Sequence, residues 1–307
     1  MRIRGGWKLV VSILCVVAAF VGVALLSPDR TVGPCTRIGD VAMLGDVPEA
    51  SGLALSQRKA GVLWTHNDSG NDTELFAVDA SGAVQGHLRL PARTRDVEDI
   101  ASGRCATGYC LFIADIGDND VVRSSVQLFR IPEPPLDSRQ TARPDTFTLS
   151  YPDGPHNAEA LFVAESKVFI VTKDLEGVLF GSVDPLGSGG SVALKRLGQL
   201  ALAGVTDAET SRDGQSVVVR TSHEAVVYRT VDLLRGGAVP SGIHIPVDGL
   251  REPQGEGVAL DGDVLYLASE GQAWSRAGRL ISLQCSLPSL SLPSLSLPSR
   301  PAPSAAR

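Results

Sequence analysis

One short pattern occurs five times along this chain of 307 residues, and it constrains the fold more than any other feature. The copies are EASGLAL (49–55), DVEDIAS (96–102), NAEALFV (157–163), DAETSRD (207–213) and QGEGVAL (254–260). Their third positions read Ser51, Glu98, Glu159, Glu209 and Glu256, at successive spacings of 47, 61, 50 and 47 residues. Each copy is followed by a β-branched and aromatic run too short for a helix: VLWTH, CLFIAD, VFIVTK, VVVRTS and VLYLAS. A third run follows in every unit, and a weaker fourth in four of the five. Gly, Asp and Pro separate the runs, as short antiparallel connections require. Four strands in roughly 40–50 residues is the blade of a β-propeller. The expected fold is therefore all-β, a five-bladed β-propeller over residues 35–285.

The fifth unit lacks a fourth strand, whereas RIGDVAML (37–44) precedes the first unit and belongs to none. The ring is expected to close by this N-terminal strand completing the last blade at its outer edge. Cys35 stands just before that strand and Cys285 ends the last blade's third strand. In an antiparallel meander these ends lie side by side, which predicts a Cys35–Cys285 disulfide. Cys105 and Cys110 flank a four-residue turn and predict a second, local one. Both fit an oxidising compartment, four free thiols being the alternative.

The two ends read differently from the middle. Arg2, Arg4 and Lys8 precede an uncharged apolar run of 18 residues, Leu9 to Leu26. Its length suits a transmembrane anchor more than a cleaved signal peptide, and its positive flank places the remainder outside the membrane. Residues 1–26 are thus read as a single anchor or signal helix, 27–34 as a linker, and 286–307, rich in Ser, Leu and Pro, as a disordered tail. The protein is expected to be extracytoplasmic, membrane-anchored or secreted. With a net charge of −6 and no long basic run beyond the N-terminus, nucleic acid is not an expected partner.

Inner strands line a propeller's channel, and alternate residues share a strand face. Ser51, Glu98, Glu159, Glu209 and Glu256 should therefore converge on the axis. Converging carboxylates repel unless protonated, hydrated or neutralised by a cation. A hard ion with many oxygen ligands, Ca²⁺, suits such a ring, and the absence of His at these positions argues against Zn²⁺. A second set of polar residues lies past the second strands: His66, Asp68, Asp115, Asp118, Lys173, Arg220, His223 and Glu270. Equivalent loops of a propeller share one face, so these form a candidate ligand site, ordinary turn residues being the alternative. Asp115 to Asp120 resembles a Ca²⁺ loop but carries Val126 where an EF-hand needs Glu. Lys173, Arg220 and His223 are candidates for holding an anion.

The segment Glu256-Gly-Val-Ala-Leu260 with Asp263-Val-Leu-Tyr-Leu-Ala-Ser-Glu270 resembles phytase-like and six-bladed TolB/NHL-type propellers. LWTHNDSG (63–70), VEDIA (97–101) and FIADIGDND (112–120) resemble secreted bacterial propeller proteins. The Ser-plus-four-Glu ring is similar to that of calcium-activated apyrases. This likeness implies the metal role for Ser51, Glu98, Glu159, Glu209 and Glu256. Against a phytase stand the count of five blades rather than six and the lack of a dense phosphate-binding cluster. Two functions follow as expectations. One is a surface module binding a small anionic ligand or a cell-surface protein, with structural Ca²⁺ in its channel. The other is a Ca²⁺-dependent phosphoester hydrolase. No catalytic motif is complete, which favours the module.

Overall fold

The near-continuous apolar runs of the second and third strands, such as Val62–His66 and Lys167–Thr172, present apolar side chains on both faces, so each sheet must be covered on both sides. A ring of sheets meets that demand. The computed structural model describes residues 31–68, 73–106, 108–138, 143–271 and 277–288. In it the five repeats form five antiparallel sheets in chain order. Blade 1 contains Ala54–Leu55, Val62–His66, Glu74–Asp79 and Val84–Arg89. Blade 2 contains Asp99–Cys105, Gly108–Asp115, Val126–Pro132 and Asp145–Ser150. Blade 3 contains Ala158–Ala164, Lys167–Thr172, Val178–Gly181 and Lys195–Gln199. Blade 4 contains Val205–Thr210, Ser216–Thr221, Glu224–Arg229 and Gly242–Pro246.

Blade 5 is built from both chain ends, as expected. Gly255–Asp261, Val264–Ser269 and Gly278–Cys285 supply its first three strands. The outer strand is split: Cys35–Arg37 and Ala42–Leu44 both pair antiparallel with Gly278–Cys285. Cys35 lies directly opposite Cys285, and the two form a disulfide. A second disulfide joins Cys105 to Cys110.

The core is five separate layers, one between each pair of blades. Val168 and Ile170 pack toward blade 2 with Phe112 and Phe147, while Phe169 and Val171 pack toward blade 4 with Val217 and Val219. The remaining layers join blades 1 and 2, 4 and 5, and 5 and 1. Each fully buried Leu, Val or Phe contributes about 1.5–3 kcal/mol, so the ring is held mainly by these layers.

One strand was not expected. Gly190–Ala193, from the connection between the last two strands of blade 3, runs parallel to the outer strand of blade 2. Arg130 anchors this excursion through the carbonyls of Leu186 (3.3 Å) and Gly187 (2.6 Å). The strap covers an edge that would otherwise present unpaired backbone groups. The expected leader (1–26) and most of the tail (289–307) lie outside the described residues. Among the described residues no helix is long and apolar enough to cross a membrane.

Candidate functional site: an acidic channel mouth

The mouth is built by a recurring irregularity in the inner strands. In blades 3, 4 and 5 the pairing with the second strand slips at Glu159, at Thr206 and around Glu256. A bulge turns the extra residue out of the ladder. Glu98 sits at the matching position, where its amide donates to the Ala114 carbonyl (3.0 Å), as the Ser51 amide does to that of His66 (3.1 Å). The ring at this level is therefore Ser51, Glu98, Glu159, Thr206 and Glu256. Two matching contacts confirm the register. The Ser51 hydroxyl donates to the Glu98 carbonyl of the next blade (2.7 Å), and the Thr206 hydroxyl donates to the Glu256 carbonyl of its next blade (2.9 Å).

Glu209 is thus a correction to the expected ring. It stands three residues beyond Thr206 and lies deeper in the channel. There it accepts hydrogen bonds from the Leu55 amide (3.2 Å) and the Ser102 hydroxyl (2.9 Å). Between the two levels lie Asp99 and Asp207, which the sequence reading passed over. They are fully enclosed and hydrogen-bonded to each other, which requires a shared proton. Asp99 accepts from the amides of Ile100 and Leu161 (2.6 Å each). Asp207 accepts from the amides of Leu53 (3.1 Å) and Val258. This pair ties together the inner strands of blades 1, 2, 3, 4 and 5 across the axis. Burial holds both carboxyls, and that of Glu209, above the usual carboxylate range.

At the mouth, among the described residues, three glutamates share one ammonium. Lys173 donates to Glu159 at 2.5 Å and also feels Glu256 and Glu98. Burial, then the neighbouring Glu159, pushes Glu98 to about 9. Burial pushes Glu159 to about 7 against the pull of Lys173. Glu256 is raised for the same first reason. Glu270, pushed to about 7 by burial and by Glu256, joins the same field, and Asp68 contributes to it. Gln254 bridges Glu256 and Glu270, donating to each at 2.7 Å. Gly117 is required here because a Cβ would overlap the carboxylate oxygens of both Glu98 and Asp96. Among the described residues no three His, Cys, Asp or Glu side chains already stand at metal-coordinating spacing.

The second candidate set divides. Asp68, Lys173 and Glu270 belong to the mouth. His66 shares a strand face with Val62 and Trp64, which pack between blades 1 and 2. Burial lowers its pKa, and its Nδ1 meets the Asn67 carbonyl at 2.8 Å. Asp115 and Asp118 are engaged within the protein, Asp115 also accepting the amides of Arg95 (3.1 Å) and Asp96 (3.0 Å). Asp115 pairs with Arg123 (3.0 Å), and Asp118 accepts from the Arg123 amide (2.7 Å). Arg220 is wholly buried between blades 4 and 5, bound to Glu252 and to the carbonyls of Gly257 (2.7 Å) and Ala268 (2.9 Å). His223 is 79% exposed and paired with Asp248, which follows the outer strand. The expected cationic trio of Lys173, Arg220 and His223 is therefore not assembled. Arg220 is enclosed, His223 faces outward, and Lys173 is engaged by glutamate.

No protein-family model matches this chain, and no curated protein matches it. Among solved structures it is similar to a chain in a crystal structure of a nidogen/laminin complex. The identity is 14%, covering 72% of each chain, with a TM-score of 0.42. It is also similar to an auxiliary nutrient binding protein from Bacteroides thetaiotaomicron, with 9% identity over 78% of this chain and 70% of that one (TM-score 0.43). A third likeness is to Kuenenia stuttgartiensis hydrazine synthase, with 14% identity over 73% of this chain and 56% of that one (TM-score 0.37). Likenesses this distant carry no argument about function.

Proposed function

We propose that this protein is an extracytoplasmic binding module whose acidic mouth takes a Ca²⁺ ion, with the surrounding face of the disc presenting a ligand- or protein-binding surface. The observation that carries the reading is the charge imbalance at the axis: among the described residues Glu98, Glu159 and Glu256 share one ammonium, that of Lys173, with the enclosed Arg220 acting on Glu256 alone. The donors fit the ion by type, being hard carboxylate and amide oxygens with no sulfur or imidazole among them. When bound, the ion would supply the positive charge that these carboxyls now obtain from protons and from Lys173. Ca²⁺ would therefore draw the three carboxylates inward, release protons and displace the lysine. The disulfides support the extracytoplasmic setting. The hydrolase reading loses its support with the separation of Lys173, Arg220 and His223.

Calorimetric titration with CaCl₂ at mildly alkaline pH, repeated in buffers of different ionisation enthalpy, tests this. The expected result is saturable binding with proton release, weakened in Glu256→Gln and strengthened in Lys173→Met, which removes the competing cation. Absence of a saturable heat in the wild type, or a Lys173→Met variant that binds more weakly, rejects the reading.

A further inference from the structure

The inner strands end, opposite the acidic mouth, in a cavity of about 450 Å³, a volume typical of small-molecule sites. None of the residues of the acidic mouth lines it. Its polar walls have a consistent chemistry. The Ser102 hydroxyl donates to Glu209 (2.9 Å), that of Thr210 to the Val163 carbonyl (2.8 Å), and that of Ser211 to Asp213 (2.8 Å). A hydroxyl has one proton and two lone pairs. These protons are committed within the protein, and the Gln57 side-chain amide already donates to Ser102 (3.1 Å) and the Ser216 amide to Ser211 (3.0 Å); each hydroxyl keeps at least one lone pair, which suits a ligand with O–H donors.

Arg104 supplies the opposite character. It is exposed at the rim, its guanidinium 4.9 Å from the centre of the Tyr109 ring. Among the described residues it has no acidic partner. Stacking holds the guanidinium flat and leaves its N–H edge for a planar anion. Arg104 and Tyr109 face each other across one hairpin, and the Cys105–Cys110 disulfide closes that same hairpin. The bridge spans only 5 residues, so it adds little to the global fold compared with Cys35–Cys285. Its position gives it a local task, fixing the rim.

We propose that this cavity binds a small polyhydroxylated carboxylate of the sugar-acid class. The carboxylate sits on Arg104 and the hydroxyls on Ser102, Thr210 and Ser211, while the Cys105–Cys110 disulfide holds the Arg104–Tyr109 rim in place. The site is independent of the Ca²⁺ reading, because none of its groups belongs to the mouth.

The test is calorimetric titration of the purified protein with D-glucuronate, D-glucose and acetate. Glucuronate should saturate, glucose and acetate should each bind at least about tenfold more weakly, and Arg104→Ala should weaken glucuronate by at least about tenfold, the loss expected for a charge-assisted pair. The paired change Cys105→Ser and Cys110→Ser should weaken it several-fold, and Glu165→Gln, which removes a lining carboxylate, should strengthen it. Arg104 is exposed, so its variant remains folded. A failure of glucuronate to saturate, equal binding of glucose, or unchanged affinity in Arg104→Ala overturns the proposal.

Discussion

Replacing Asp99 by Asn and Asp207 by Asn should have unequal consequences, although the two carboxyls touch. Both oxygens of Asp99 accept backbone N–H groups, one from Ile100 and one from Leu161. An amide at this position must turn its NH₂ toward one of them, leaving a buried donor without an acceptor. That costs about 1–3 kcal/mol, or about 2–12 °C in Tm for a domain of this size. Asp207 differs, because a single oxygen, Oδ2, accepts from both Leu53 and Val258, while no backbone amide among the described residues completes a hydrogen bond to Oδ1, which leaves the carboxyl's second oxygen for Asp99. Asp207→Asn keeps the accepting oxygen and places its NH₂ against Asp99, replacing the shared proton by a permanent donor. Its stability near pH 5 should match the wild type.

The pH dependence should separate the variants further. Both carboxyls are raised in the folded state by burial. Their contribution is therefore complete below the unfolded value, 3.8, and is lost as pH rises through the folded values. Asp207→Asn removes one of these groups and gives the Asp99 carboxylate a third donor. The wild type should lose more Tm than Asp207→Asn between about pH 5 and pH 9. Thermal melts followed by circular dichroism at several pH values read both effects. Equal destabilisation by the two substitutions, or an Asp207→Asn variant as pH-sensitive as the wild type, would refute the shared-proton arrangement.

Arg220→Met should destabilise by about 3–5 kcal/mol, since Glu252 is left charged and buried. Adding Glu252→Met should recover much of this, as urea denaturation of the single and double variants will show. Cys35→Ser opens a loop of 250 residues and should cost roughly 5 kcal/mol in the chain-entropy account. Cys105→Ser opens one of 5 and should cost about 2 kcal/mol. The order of the two denaturation midpoints checks the assignment. Thr206→Val and Ser51→Ala each remove one interblade hydrogen bond and should each cost about 1 kcal/mol. A much larger loss for only one of them would contradict their equivalence.

The ring and its closure were legible because they rest on strand periodicity and on strong pairing signals. The unclaimed strand at 37–44 and the cysteines beside it could satisfy each other in only one way. The strap at Gly190–Ala193 left no such trace, since its GSVA sequence is exposed and lacks the alternation of a packed strand. Glu209 was misplaced because spacing alone does not decide its register. Taking Thr206 instead changes the last two intervals only from 50 and 47 to 47 and 50. The match of Val205-Thr-Asp-Ala208 to Val97-Glu-Asp-Ile100 would have aligned Asp207 with Asp99 and exposed the buried pair. Arg220 and His66 fall at strand ends where their polarity suggests loops, but alternation puts Arg220 on the face of Val218 and His66 on that of Trp64. Those faces pack between blades 4 and 5 and between blades 1 and 2. The strand period held that information, and the polarity of the side chains obscured it.

Crystals grown at alkaline pH with CaCl₂ examine the acidic mouth most directly. The expected electron density is a single ion on the axis, bonded to carboxylates of Glu98, Glu159 and Glu256, with the Lys173 ammonium swung away. Lys173 still seated on Glu159, with only water above it at saturating Ca²⁺, would contradict the metal at the centre of this account.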